Sequence, residues 1–410
     1  MRWAGLALAL LSAIGCSRKE LPPPPDAGVP IFPALPRSEG ATEALIAAET
    51  RRPPGAARPA VDATAILDAL EERPGAISAG AGVARRIQSA LERAKGGMYL
   101  LVGHWHDAPA QIAAFRRLVG PGGLRGLDLV AIEQLRATGH WPGALAEAQR
   151  GDDDDLERWA ATGDRGAFAA LAERHRESDY AAWKLGIEAD VLDLLAETRA
   201  AGVRLVGCDM PSGAQALAGP LSGDLRSRLR EIHCARSLSV ARPRNAALLW
   251  GEAHVGRSAL RRFLPPEATV LALHLFGGRP TGEAETALAK RLVVHEPVFV
   301  PLGDEDAALL LPEGPLAGTI DRVLADGEAV PTGLVARADA TGRLTVGDQS
   351  AVLGTCGSGI SLPPGDHAYV FRSGDRIVVG ALRVREGRGV ELSFDTRAGV
   401  TSVAEHRRAD

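Results

Sequence analysis

MYLLVGHWHDAP, residues 98–109, is the stretch that decides how this chain is read. Its apolar run, residues 98–102, has the length of a strand and no polar interruption, as a strand buried on both faces would. Gly103 ends the run. His104, Trp105, His106 and Asp107 follow, and then Ile112, Phe115 and Leu118/Val119 recur at helical spacing. Strand, glycine, polar cluster, helix sets side chains at the carboxyl end of a sheet strand, which is where open α/β sheets bind ligands. Further along, residues 246–250 are apolar and Gly251-Glu252-Ala253-His254 follows them. Both copies read Gly-x-x-His.

Three more strand-like stretches extend the pattern. Residues 127–132 deliver Glu133 at their end, residues 203–206 lead into Gly207-Cys208-Asp209, and residues 269–275 follow a helical stretch. Helix-length patterns lie between them: Val83, Ile87 and Leu91 at helical spacing, a helical region over 140–200, and another over 221–240. Strands alternating with helices predict an α/β fold, a mostly parallel sheet with helices on both faces. After Gly277 the pattern shifts to strand-like residues 292–302 and an apolar run at 307–311. From Gly333 onward come short strands and turns, with Ser373-Gly374-Asp375 as a hairpin turn, which predicts a small β-rich C-terminal unit.

The N-terminus is read apart from the fold. Arg2, an apolar core over residues 6–14 and Ser12-Ala13-Ile14-Gly15-Cys16 resemble a bacterial lipoprotein signal and lipobox, with Ala13 where leucine is usual. The implied mature chain begins at a lipidated Cys16, exported to the cell envelope, with the outer membrane as the expected site. Pro22-Pro23-Pro24-Pro25, Pro30, Pro33 and Pro36 make a semi-rigid tether. The expected organisation is therefore signal peptide 1–16, tether 17–60, α/β domain 61–327 and β-rich unit 328–410.

Composition excludes some classes. A formal net charge of -4, with 24% charged residues spread along 410 positions, gives no basic patch for nucleic acid. Beyond Cys16 the cysteines are Cys208, Cys234 and Cys356, with no Cys-x-x-Cys, so a zinc ribbon or thioredoxin motif is absent. A Cys208–Cys234 bridge fits an exported protein but is not written in the sequence. The run Asp152–Asp155 reads as a helix N-terminus, since no calcium-loop glycine and glutamate follow it.

Each candidate functional residue follows a strand: His104, His106 and Asp107 the first, Glu133 the second, Asp209 the third, Glu252 and His254 the fourth. Parallel strands end on one edge, so these groups are expected to share a pocket. His106, His254 and Glu133 form a ligand set for a divalent metal, and His104, Glu252 and the same three can act as base and acid without one. Plainer readings stand beside these. Asp107 serves equally as a helix N-cap, Glu252 as a cap and Asp209 as a turn residue.

The strings LLVGHWHDAPAQIAAF, LVAIEQL, GVRLVGCDMP and LLWGEAHVGRSAL, with Tyr180 ahead of the third, are similar to the ChaN/Tiki/TraB superfamily. Within it the chain most resembles ChaN-like iron-regulated, haem-binding lipoproteins, over about residues 80–280. The family's first motif is usually Gly-Glu-x-His, and here His104 replaces the glutamate. Gly251-Glu252-Ala253-His254 keeps the form, with Arg257 near a basic position of the family. The resemblance implies a haem cofactor with Tyr180 as iron ligand and Arg257 beside it. It alternatively implies a divalent metal (manganese, cobalt or zinc) in a Tiki-like protease, or water activation without a metal as in erythromycin-esterase relatives. The expected partners are the membrane through the lipid anchor and a haem, small-molecule or peptide ligand. A non-catalytic surface binding module is the remaining alternative, and self-association into a homodimer stays open.

Overall fold

A computed structural model describes residues 63–105, 108–136, 201–209, 223–256, 259–277, 283–303, 305–312, 323–324, 333–355, 357–395 and 399–407, with Gly166, Leu194, Glu197 and Thr198 besides. Cys16, the tether, His106, Asp107, the Asp152–Asp155 run, Tyr180, Arg257 and Cys356 lie outside the described residues. No helix among the described residues is long and apolar enough to cross a membrane.

The first sheet has eight strands. In chain order they are β1 (Ser78–Ala79), β2 (Met98–His104), β3 (Leu129–Arg136), β4 (Arg204–Asp209), β5 (Asn245–Gly251), β6 (Thr269–Phe276), β8 (Val298–Pro301) and β9 (Asp306–Leu310). The intervening β7 (Leu292–Val294) belongs to another sheet. Their spatial order is β1-β8-β9-β6-β2-β5-β3-β4. All seven residues of β2 are buried, and they alternate between two cores. Leu100 and Val102 face Ile87, Ile112 and Phe115 on one side; Tyr99 and Leu101 face Cys234, Leu238 and Trp250 on the other. Burial on both faces explains why this stretch reads as an unbroken apolar run. Each such side chain removed from water contributes about 1.5–3 kcal/mol.

Helices α1 (Ala63–Glu72), α2 (Val83–Arg93), α3 (Pro109–Val119), α4 (Gly223–Ala241) and α5 (Glu283–Arg291) accompany the sheet. Val83, Ile87 and Leu91 are the buried face of α2, as their spacing predicts. Gly97 turns the chain from α2 into β2 with φ +91°, and a Cβ there would lie 2.1 Å from the Arg244 carbonyl oxygen, so no other residue fits without a shift. Pro109 opens α3, where its missing N–H costs nothing.

Two five-stranded sheets form the rest. One orders β13 (Gln349–Leu353), β12 (Gly342–Val346), β15 (Gly365–Ser373), β16 (Arg376–Val384) and β7. The other orders β10 (Val323–Leu324), β18 (Gly399–Arg407), β17 (Arg388–Asp395), β11 (Gly333–Ala338) and β14 (Ser358–Ile360). They share a core that includes Leu344, Phe371, Leu392 and Phe394. The hairpin between β15 and β16 turns at Gly374, φ +59°, with Ser373 paired to Arg376.

The expected fold class, a mostly parallel sheet flanked by helices with a small β-rich appendage, is corrected. All three sheets are mixed. In the first, β9, β6, β2, β5, β3 and β4 run parallel, but β8 pairs antiparallel with β9 and β1 antiparallel with β8. Residues 302–305 are too few for the crossover that a parallel β8–β9 pair would need. In the two smaller sheets, β7 and β16, β10 and β18, and β11 and β17 pair parallel, and the other pairs run antiparallel. The strand-like stretch 292–302 is two strands that enter different sheets. Through β7, and through a core in which Ile66 and Leu70 meet Val370 and Val379, the β-rich part is built onto the first sheet.

Candidate functional site

The parallel strands end together, and the side chains at or near those ends fall into two adjoining clusters; Glu133, expected after its strand, lies within β3. The first lies over β3, β4 and β5. Glu133 projects from β3 and Asp209 ends β4, and both hold the guanidinium of Arg230 on α4. Arg230 Nε donates to Asp209 Oδ1 at 2.8 Å and Nη2 to Oδ2 at 3.0 Å, a two-pronged fit. Nη2 also donates to Glu133 Oε1, and the second Glu133 oxygen accepts from the Gly251 backbone N–H at 2.6 Å. Burial opposes the charge on Arg230, but Asp209 and Glu133 outweigh it through charge and hydrogen bonding, and the pKa rises.

His254 completes this cluster. It sits on the short 3-10 turn Glu252–His254 after β5, with its ring 5.0 Å from that of Trp250. Nη1 of Arg230 lies 3.3 Å from its Nε2, and Nδ1 lies 2.9 Å from Glu231 Oε1. A guanidinium can only donate, so Nε2 is the accepting nitrogen and Nδ1–H donates to Glu231. A carboxylate behind an imidazole fixes the ring and its tautomer and leaves the other nitrogen basic.

The second cluster lies over β2 and β6. His104 ends β2 and donates from Nδ1 to the Trp250 carbonyl at 2.9 Å. Glu252 turns inward and meets Nδ1 of His274, on β6, at 2.5 Å; both side chains are nearly inaccessible, at 2% and 1% exposure. Burial pushes the Glu252 carboxyl pKa up, against the hydrogen bond and charge of His274. Gly103 makes this approach feasible, since a Cβ there would lie 2.0 Å from Glu252 Oε2 and 2.7 Å from Val255 Cγ2. The glycine of the first Gly-x-x-His thus seats the glutamate of the second. Gln111 holds the loop after β2, accepting from the Trp105 N–H at 2.7 Å and donating to the Gly277 carbonyl at 2.9 Å.

Of the residues expected in one pocket, Glu133, Asp209 and His254 meet through Arg230, and His104 and Glu252 stand beside them with His274. His106, Tyr180 and Arg257 lie outside the described residues. Reasoning from strand ends misses Arg230, Glu231 and His233 on α4 and His274 within β6. Only the structure reveals the α4 face: Arg228, Glu231, His233, Cys234 and Ser237 are buried on it, interleaved with Leu229, Ile232 and Leu238. A helix that buries acids and imidazoles around a cysteine is presenting them to something. The Cys208–Cys234 disulfide clamps that face to the end of β4, one residue from Asp209 and one from His233.

His233 has an expected consequence for stability. The imidazole is buried and neither ring nitrogen has a hydrogen-bond partner. Burial lowers its pKa to about 4, helped by Arg236 and opposed by Asp209. A base with a lowered folded pKa binds fewer protons folded than unfolded. Stability is therefore whole above pH 6.5 and falls as pH drops toward 4, by roughly 3 kcal/mol for this shift. Urea unfolding at pH 4.5 and 7 should show His233→Phe with a smaller acid loss than the parent; equal losses would remove His233 as the cause.

The donors described do not fit a divalent metal. Glu133 and Asp209 are engaged by Arg230, Glu231 by His254 Nδ1, and His254 Nε2 faces that same cation. No group of three or more histidine, cysteine, aspartate or glutamate residues among the described residues could hold an ion. No protein-family model matches the chain, and no curated protein matches it. Among solved structures it is similar to the type III effector HopBA1, at 13% identity over 53% of this chain and 88% of that one, with a TM-score of 0.25, a value too low to carry an argument about fold or function.

Proposed function

We propose that the chain is an exported, lipid-anchored hydrolase that activates water with His254 and cleaves a carboxylic ester or amide. The observation that carries this reading is the bonding of His254: Nδ1 to Glu231, Nε2 toward Arg230. The lipobox at Cys16 supports the anchor, and the Gly-x-x-His pair, through the resemblance to the ChaN/Tiki/TraB superfamily, supports the chemistry. Haem binding rests on Tyr180 and that resemblance alone.

In the proposed reaction a water displaces the 3.3 Å Arg230 contact at Nε2. His254 takes its proton as the oxygen bonds to the substrate carbonyl carbon. The carbonyl oxygen becomes an oxyanion, and Arg230 Nη1, released from His254 while Nε and Nη2 stay held by Asp209 and Glu133, faces that charge. When the carbon–leaving-group bond breaks, His254 returns the proton to the departing oxygen or nitrogen. Glu133 binds Arg230 and the Gly251 N–H, so its role is to position the cation.

The test is hydrolysis of short-chain p-nitrophenyl esters and of peptide amides by the full chain, with and without a chelator. Turnover that survives the chelator and disappears in His254→Gln is expected. Turnover lost to the chelator and restored by a divalent ion would replace this reading with the metal one, and turnover unchanged in His254→Gln would end it.

A further inference from the structure

A cavity of about 590 Å³ lies away from the strand-end clusters and shares no residue with them. It opens where the first sheet meets the β-rich part. Val83 of α2, Leu118 of α3, Leu309 of β9 with Leu311 just after it, and Leu382 of β16 give it an apolar interior. Gly80 lies in its wall with its Cβ position 2.6 Å from Pro297, so no side chain enters from there. A volume of this size suits a small organic ligand, and junctions between units are where such sites concentrate.

The rim is charged and unbalanced. Arg117, Arg383 and Arg385 line it against Glu296 and Asp366, one positive charge in excess. Arg383 is held by Asp366 through contacts of 2.8 and 3.2 Å. Arg385 pairs with Glu405, which lies outside the lining, at 3.6 Å. Arg117 is exposed and forms no ion pair among the described residues. An apolar interior under one surplus cation complements a ligand with an apolar body and one negative charge; a polyanion would meet Glu296 and Asp366.

We propose that this cavity binds a monoanionic amphiphile, a carboxylic acid on an apolar chain, with the carboxylate at Arg117 and Arg385 and the chain against Leu118, Leu309 and Leu382. The surplus charge sets the preference for an acid over its neutral analogue, and the volume limits chain length.

Calorimetric titration of the full chain with decanoate, decanol and inorganic phosphate tests it. Saturable decanoate binding is expected, with decanol and phosphate each about tenfold weaker or worse. Arg117→Glu, which sets a like charge against the carboxylate, should weaken decanoate about tenfold. Ala81→Trp, an exposed lining position, should block the cavity and abolish binding while the melting temperature stays at the parent value. Equal affinity for decanol, binding that survives Ala81→Trp, undiminished binding in Arg117→Glu, or no saturable decanoate binding would each overturn the proposal.

Discussion

Replacing Arg230 with methionine is expected to destabilise the protein by about 3–5 kcal/mol, because it withdraws the cation from two largely buried carboxylates. The Glu133 side chain is 4% exposed and that of Asp209 10%. Methionine fills similar volume, so the loss is electrostatic more than steric. Arg230→Lys keeps the charge but not the planar fork that grips Asp209 twice, and should fall between the two. The interaction is isolated by adding Asp209→Asn. With one buried charge removed, Arg230→Met should cost clearly less than in the parent, and urea unfolding of the four proteins in the cycle measures the coupling. A cost below about 1 kcal/mol for Arg230→Met, or strict additivity, would show that the network does not bear on stability. The same change removes the cation proposed to meet the oxyanion, so hydrolysis should fall even where the variant remains folded.

How much of this was legible in the sequence follows from what a local pattern can encode. The parallel strands were visible because burial on both faces leaves an uninterrupted apolar run, as at residues 98–102 and 246–250. Strand direction has no such signature, so the antiparallel edge of β8 and β1 was missed although residues 302–305 allowed nothing else. The division of 292–302 between two sheets was hidden for a similar reason: β7 and β8 are both apolar, and only Glu296-Pro297 marks the break. At the site, residues just after a strand were found because position along the chain predicts position at the sheet edge. Arg230, Glu231 and His233 reach the same place from a helix, where a charged residue reads as solvated unless its neighbours are known to be buried. His274 was hidden differently, inside the strand pattern of β6, where one imidazole among apolar residues looks like tolerated packing until Glu252 is seen against it.

Glu231 offers the sharpest test of the proposed chemistry, since it touches no reacting atom. As a carboxylate it can only accept, which keeps the proton of His254 on Nδ1 and the lone pair on Nε2. Glu231→Gln preserves the size but gives the side chain an N–H₂ group able to donate to Nδ1. In that arrangement the imidazole proton moves to Nε2, and the base becomes a donor toward the water it should deprotonate. Positioned general bases contribute about 10²–10⁴-fold, so kcat should fall within that range while KM changes little. A carboxylate that merely packed against the ring would produce the reverse split or none. The two residues also act as one unit, so adding His254→Gln to Glu231→Gln should cost little more than His254→Gln alone. If the two losses multiply, or if Glu231→Gln turns over ester at the parent rate, the imidazole is not oriented by this carboxylate.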